Sequence, residues 1–324
     1  MARMRRGQIR MKRAKACPSG SASKLAAAGA RTATYFSLLT NSLVMDRLDR
    51  RRALVEERLS AVVESVEPES LREEVAHVTL SGGKRVRPLM TLLTCETVGG
   101  EYTDAVNFGV GIELVHTASL VVDDVIDRSE RRRNTTSAWA EYGHSSAIVT
   151  SDGLLGHAFE LFVGDPAATR TVTEAMVELG IGEATELTAM PTNETEYMTL
   201  ARRKTGALFR AAAELGAIAA DADTAAVDAV GEYAERVGVA FQIRDDVLDA
   251  ISDPETLGKP TGHDAALDRP SLLQVTDLTP TEANDQAREQ ADRAMDALSR
   301  IDTTDGDARA YLHDLAEFVV ERDR

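Results

Sequence analysis

Asp123, Asp124 and Asp127 repeat the spacing of Asp245, Asp246 and Asp249, so a DDxxD pattern is written twice in one chain. A helical residue turns about 100°, which puts Asp123 and Asp127 on one stripe with Asp124 beside them. Carboxylates held that close repel one another, and the arrangement makes sense under a cation. Oxygen-only ligands at this spacing suit magnesium, which keeps waters and borrows phosphate oxygens. A single DDxxD is more often a solvated acidic surface. Two copies shift the balance, as do the apolar runs Ala-Ser-Leu-Val-Val before the first and Val-Ala-Phe-Gln-Ile before the second, where an uncompensated carboxylate is costly. His116, seven residues before Asp123, and Gln242, three before Asp245, project toward the same sides as their clusters. For His116 a core histidine and a ligand are equally good readings.

The basic residues supply a counterpart. Gly82-Gly-Lys-Arg-Val-Arg-Pro88 is a glycine-flexed loop with three cations leading into a helix whose expected first position is proline, a geometry suited to phosphate. Loop arginines and lysines are usually just solvated. After residue 52, however, the chain has only three lysines, Lys84, Lys204 and Lys259, and each stands in such a Gly/Thr/Pro context. Arg132 and Arg133 add guanidinium groups able to bind phosphate bidentately.

These side chains need a scaffold, and the composition points to an all-α one. The chain has 324 residues, 43% hydrophobic and 4% aromatic, with alanine and leucine dominant and little period-two alternation. A sheet is hard to place. Periodicity and Gly/Pro/Asn punctuation predict helices from Asp46 to about 66, then at about 69–80, 88–98, 103–129, 145–163, 167–190, 195–220, 224–252, 281–300 and 304–322, with a long break at 253–280. Residues 1–44 carry nine basic and no acidic residues and a Ser/Ala/Gly-rich stretch; they are expected to be a disordered basic leader, or to precede a true start at Met45, rather than a targeting peptide. Residues 45–324 form the expected domain.

Residues 53–324 hold 24 basic against 51 acidic side chains. Such a body repels nucleic acid and anionic lipid. Abundant carboxylate with so few lysines implies a high-salt, halophilic setting that screens self-repulsion. Cys17 and Cys95 stand in no metal-ligand spacing and cannot make a disulfide framework. A cytoplasmic protein with no transmembrane segment is expected.

From about Leu71 to Leu273 the chain resembles the trans-isoprenyl diphosphate synthases, the farnesyl and geranylgeranyl diphosphate synthase family. The resemblance rests on Gly83-Lys-Arg-x-x-Pro88, Glu113-Leu-Val-His-Thr-Ala-Ser-Leu-x-x-Asp-Asp-x-x-Asp127, Arg132-Arg133, Lys204-Thr205, Phe241-Gln-x-x-Asp-Asp-x-x-Asp249 and Gly258-Lys-Pro. It implies a single-domain helical bundle around a deep central apolar cavity, a homodimer, and about three magnesium ions held by the two clusters. By the same resemblance Arg132, Lys204, Thr205, Gln242 and Lys259 support an allylic diphosphate, with Arg269 in a usual lysine position. Lys84, Arg87, His116 and Arg133 match the isopentenyl diphosphate site. Asp123, Asp124, Asp127, Lys204 and Asp245 would carry the chemistry. Departures from the family pattern are Val122, Asn134, Trp139 and Glu183, with Arg269-Pro-Ser271 in place of Lys-x-Thr.

Ser119 and Ala118 lie four and five residues before Asp123, about 6 to 7.5 Å deeper along the helix. Family members with an aromatic residue there stop growth near fifteen carbons. Small residues here imply a longer product, geranylgeranyl diphosphate, unless they merely permit close helix packing. The competing readings are a longer-chain synthase, a terpene cyclase, which would not need the isopentenyl site, and a non-catalytic subunit of a heteromeric synthase, which would be expected to lose one acidic cluster.

Overall fold

The computed structural model describes residues 47–133, 135–251, 270–302 and 306–321. The chain divides into residues 1–49 and 50–324, and apart from the first residues of α1 every described element lies in 50–324. Lys259, Arg269 and the 1–44 leader lie outside the described residues.

Helix α1 (47–64) is followed by α2 (Glu69–Thr79), α3 (Val86–Thr97) and α4 (Val106–Asp127). A hairpin, β1 (Arg131–Arg132) and β2 (Thr135–Thr136), precedes α5 (Ala138–Tyr142), α6 (His144–Phe162) and α7 (Pro166–Thr188). Then come α8 (Glu194–Ala201), a π-helical turn (Arg202–Gly206), α9 (Ala207–Ala219), α10 (Thr224–Ile251), α11 (Leu272–Val275), α12 (Pro280–Ser299) and α13 (Gly306–Glu321).

The all-α expectation holds, and the long helices fall where periodicity put them. Their ends follow local chemistry. Asp165 accepts from the Ala167 and Ala168 amides and Pro166 opens α7; Thr279 and Glu282 close a capping box around Pro280 at the start of α12. Buried side chains on every side of α4, among them Val106, Val110, Ile112, Leu114, Val115, Ala118 and Val121, mark it as the central helix. It packs along α6 and beside α3 and α9, while α10 packs along α9 and α12. A Cβ at Gly111 would come within 2.4 Å of the Phe162 ring, so glycine is what lets α6 lie this close to α4.

Four short features differ from the sequence expectation. The hairpin pairs Arg131 with Thr136 and Arg132 with Thr135; two residues per strand leave no alternation to read. The helix expected over 145–163 is preceded by the separate α5, with Gly143 at φ 89° between them. The helix expected over 195–220 is interrupted by the π turn at Arg202–Gly206. Within the expected break, Ser271 caps the four-residue α11. Segments of five residues or fewer carry no readable period.

Candidate active site

The loop before α3 is built by backbone geometry that excludes most side chains. Gly82 and Gly83 have φ of 97° and 142°, and a Cβ on Gly83 would reach within 2.9 Å of Arg133 Nη1. Arg133, at φ 49° beyond the hairpin's first strand, donates from Nη1 to the Gly82 carbonyl at 2.6 Å. Arg52 donates to the Gly83 carbonyl at 2.8 Å. The hairpin and the glycine loop are thus tied together, bringing Lys84, Arg87 and Arg133 to one end of the bundle.

Arg85 is different from its neighbours. It is 2% exposed and donates to Glu56 Oε1 at 2.8 Å, Glu113 Oε1 at 2.9 Å and the Thr79 carbonyl at 2.8 Å. Burial pulls its pKa down, but the two carboxylates outweigh this and raise it above the ordinary value. Of the three cations in Lys84-Arg85-Val86-Arg87, this one is structural. Glu113, 2% exposed, also lies 4.0 Å from Arg133. It is the buried counter-charge of the arginine cluster, and the sequence reading gave it no role; acid embedded in the apolar run Val110-Gly-Ile-Glu-Leu-Val115 was the available signal.

Arg87 lies with its guanidinium 4.5 Å from the Phe209 ring centroid, and its Nε has no hydrogen-bond partner. Burial pushes its pKa down to about 10, with Glu113 opposing and Arg133 adding to the shift. His116 faces the same cluster. Burial and the guanidinium groups of Arg87, Arg133, Arg132 and Arg85 hold its imidazole well below the ordinary 6.5, so it is neutral. A neutral ring here still offers an N–H to an anion.

The two acidic clusters share a pattern. In each, the middle aspartate is buried and the flanking ones are half-exposed: Asp124 and Asp246 are 3% and 2% exposed, and Asp123, Asp127, Asp245 and Asp249 are intermediate. Asp124 accepts from Arg132 Nε at 3.0 Å. Asp246 accepts from the Tyr197 hydroxyl at 2.6 Å, Gln242 Nε2 at 3.0 Å and the Leu272 amide at 2.8 Å. Gln242 in turn accepts from Thr205 Oγ1 at 2.8 Å, so the π turn, α8, α10 and α11 converge on one carboxylate.

Lys204, also on the π turn, donates to Glu183 at 3.2 Å and to Glu186. These acids sit one helical turn apart on α7. Between α3 and α10, Arg87 lies over the Phe209 ring on α9, and the Phe209 and Phe241 ring centroids lie 6.1 Å apart. Ser119 Oγ donates to the His116 carbonyl, while Ala118 is 1% exposed and its carbonyl accepts from Ser151 on α6 at 3.3 Å. A separate groove of about 530 Å³ between α7, α9 and α10 is lined by Glu174, Glu178, Arg202, Arg210, Glu214 and Glu235 among others; no residue expected to hold diphosphate lines it. No described helix is long and apolar enough to cross a membrane.

Comparison with known proteins agrees with this architecture. The Polyprenyl synthetase family model matches residues 68–312. A short chain isoprenyl diphosphate synthase of Methanothermobacter thermautotrophicus is 35% identical over 254 residues, 76% of this chain and 78% of that enzyme. The geranylgeranyl pyrophosphate synthetase structure from Pyrococcus horikoshii superposes with a TM-score of 0.78 at 31% identity, covering 87% of this chain and 99% of that one. A polyprenyl synthase from Caulobacter crescentus, complexed with calcium and isoprenyl diphosphate, gives 0.75 at 27% identity over 89% and 97% of the two chains. The chain is therefore a member of the polyprenyl synthetase family, the trans-isoprenyl diphosphate synthases.

Proposed function

We propose that the protein condenses isopentenyl diphosphate with an allylic diphosphate, dimethylallyl, geranyl or farnesyl, and that geranylgeranyl diphosphate is its main product. The observation that carries this reading is the shared burial pattern of the clusters: each middle carboxylate is buried and its neighbours are partly exposed, with cations converging beside them. An all-oxygen set of half-exposed carboxylates fits magnesium. Asp123, Asp127, Asp245 and Asp249 would hold about three ions together with diphosphate oxygens, and Asp124 and Asp246 would orient them through their protein partners. Bound magnesium supplies charge compensation for a departing diphosphate.

The side chains divide the remaining work. Arg132, Lys204, Thr205 and Gln242, with Lys259 and Arg269 from outside the described residues, hold the allylic diphosphate as its carbon–oxygen bond breaks. Lys84, Arg87, Arg133 and the N–H of neutral His116 grip the isopentenyl diphosphate and aim its double bond at the allylic carbon. The new carbon–carbon bond leaves a cation that loses a proton to the released pyrophosphate, so no side-chain nucleophile is required.

The small, half-buried side chain of Ser119 supports a product longer than fifteen carbons, while Ala118 is packed against α6. Exposed Ile148 and Val149 on α6 and Val177 and Ile181 on α7 support a homodimer, and the acidic body supports activity at high salt. The domain extends from residue 45. The decisive experiment is turnover by the purified chain alone with isopentenyl diphosphate, magnesium and each primer, with products separated by chain length. A twenty-carbon product is expected. Farnesyl diphosphate as the end product would sink the length assignment, and no turnover without a second subunit would favour a heteromeric synthase.

A further inference from the structure

The sequence contains seven phenylalanines, and two of them lie against cations of the same site. Lys84 Nζ lies 5.7 Å from the ring centroid of Phe318 on α13, and the Arg87 guanidinium 4.5 Å from that of Phe209 on α9. The other cations nearby are held by acids: Lys204 by Glu183 and Glu186, Arg132 by Asp124, Arg85 by Glu56 and Glu113. Among the described residues neither Lys84 nor Arg87 makes a salt bridge with a carboxylate, although the body is rich in them.

The difference has a chemical consequence. A carboxylate orients a cation but cancels its charge, and an incoming diphosphate must then displace it. An aromatic face orients the cation through its quadrupole and leaves the formal charge intact. Phe318 is 52% exposed, with the Lys84 ammonium group over its ring; α13 packs on α3, which begins two residues after Lys84. Phe209, 2% exposed, is braced from behind by Phe241.

We propose that Phe318 and Phe209 are positioning residues that hold Lys84 and Arg87 pre-oriented, without a salt-bridged carboxylate, for the isopentenyl diphosphate. The proposal rests on the reading of those two cations as isopentenyl diphosphate ligands. The C-terminal helix thereby enters the specificity of the reaction without touching the reacting atoms.

Steady-state kinetics of the full-length enzyme test it. Phe318→Leu is expected to raise KM for isopentenyl diphosphate about two- to fivefold, the range of an exposed cation–π contact. KM for the allylic substrate and kcat should not move, and Phe318→Tyr should restore the value. Phe209→Leu should act in the same direction through Arg87. On a Lys84→Gln background, Phe318→Leu should add nothing. A second readout needs no turnover: after reductive ¹³C-methylation of the lysines, the Lys84 methyl resonance, identified by its loss in Lys84→Arg, should sit upfield and relax downfield in Phe318→Leu. An unchanged isopentenyl KM in Phe318→Leu, or an equal rise on the Lys84→Gln background, overturns the proposal. If Lys84→Gln itself leaves that KM unchanged, the ligand reading of Lys84 fails, while the resonance still reports whether the ring seats the ammonium group.

Discussion

The Tyr197 hydroxyl donates to Asp246 at 2.6 Å, and both residues are 2% exposed. With Gln242 and the Leu272 amide also donating, the middle carboxylate of the second cluster is a structural hub for α8, α10 and α11. Tyr197→Phe should cost about 1.5 to 3 kcal/mol, the worth of a hydrogen bond to a charged group, and raise the magnesium concentration for half-maximal turnover. Thermal unfolding and a metal titration check the two effects. An unchanged metal requirement would separate Asp246 from the reaction.

Arg85 and Arg87 are two residues apart yet should fail differently. Arg85→Met strands the buried Glu113 carboxylate, a loss of about 3 to 5 kcal/mol visible in chemical denaturation. Arg87→Met removes a charge already costly to bury and unpaired at Nε. It should leave stability much closer to wild type while raising the isopentenyl KM at least tenfold. Equal destabilisation by both would contradict the division between them.

His116 gives a pH dependence with a definite sign. Its folded-state pKa lies well below 6.5 because burial and four arginines disfavour the imidazolium. Below about pH 6.5 the unfolded chain therefore takes up a proton that the folded protein refuses, and stability falls by up to about 1.4 kcal/mol per pH unit. His116→Gln should flatten the stability profile between about pH 5 and 6.5. Denaturant melts across that window decide it; a profile as steep as wild type would count against this histidine.

Ser119 and Ala118 occupy different environments, so enlarging them should not be equivalent. Ser119 is half-buried, and Ser119→Phe should shorten the product to about fifteen carbons with activity retained. Ala118 is 1% exposed against α6, and Ala118→Phe should overpack that contact, costing about 1 to 3 kcal/mol. Chromatography of products and melting temperatures read the two outcomes.

Most of this architecture was legible in the chain. Long helices were readable because three or more turns repeat the same burial pattern, and caps such as Asp165 and Thr279 act locally. The DDxxD repeats and the scarcity of lysine pointed to candidate site residues for the same reason: spacing and composition are properties of the sequence itself. The features missed were too short to show a period, and they carry candidate site residues. The hairpin presents Arg132 and Arg133, the π turn presents Lys204 and Thr205, and α11 delivers the Leu272 amide to Asp246.

What the sequence determined, then, was residue type at helical spacing: which helices exist, and which carboxylates and cations lie on their inward stripes. Six aspartates were chemically indistinguishable at that level. Tertiary packing separated them: it buries the two middle ones, where donors from Arg132, Tyr197, Gln242 and Leu272 reach them, and leaves the other four partly exposed. It also turned Arg85 into a buried tie and left Arg87 and Lys84 seated on rings 122 and 234 residues away. Contacts between residues so far apart in sequence have no local signature, since folding, rather than spacing, brings their partners within reach.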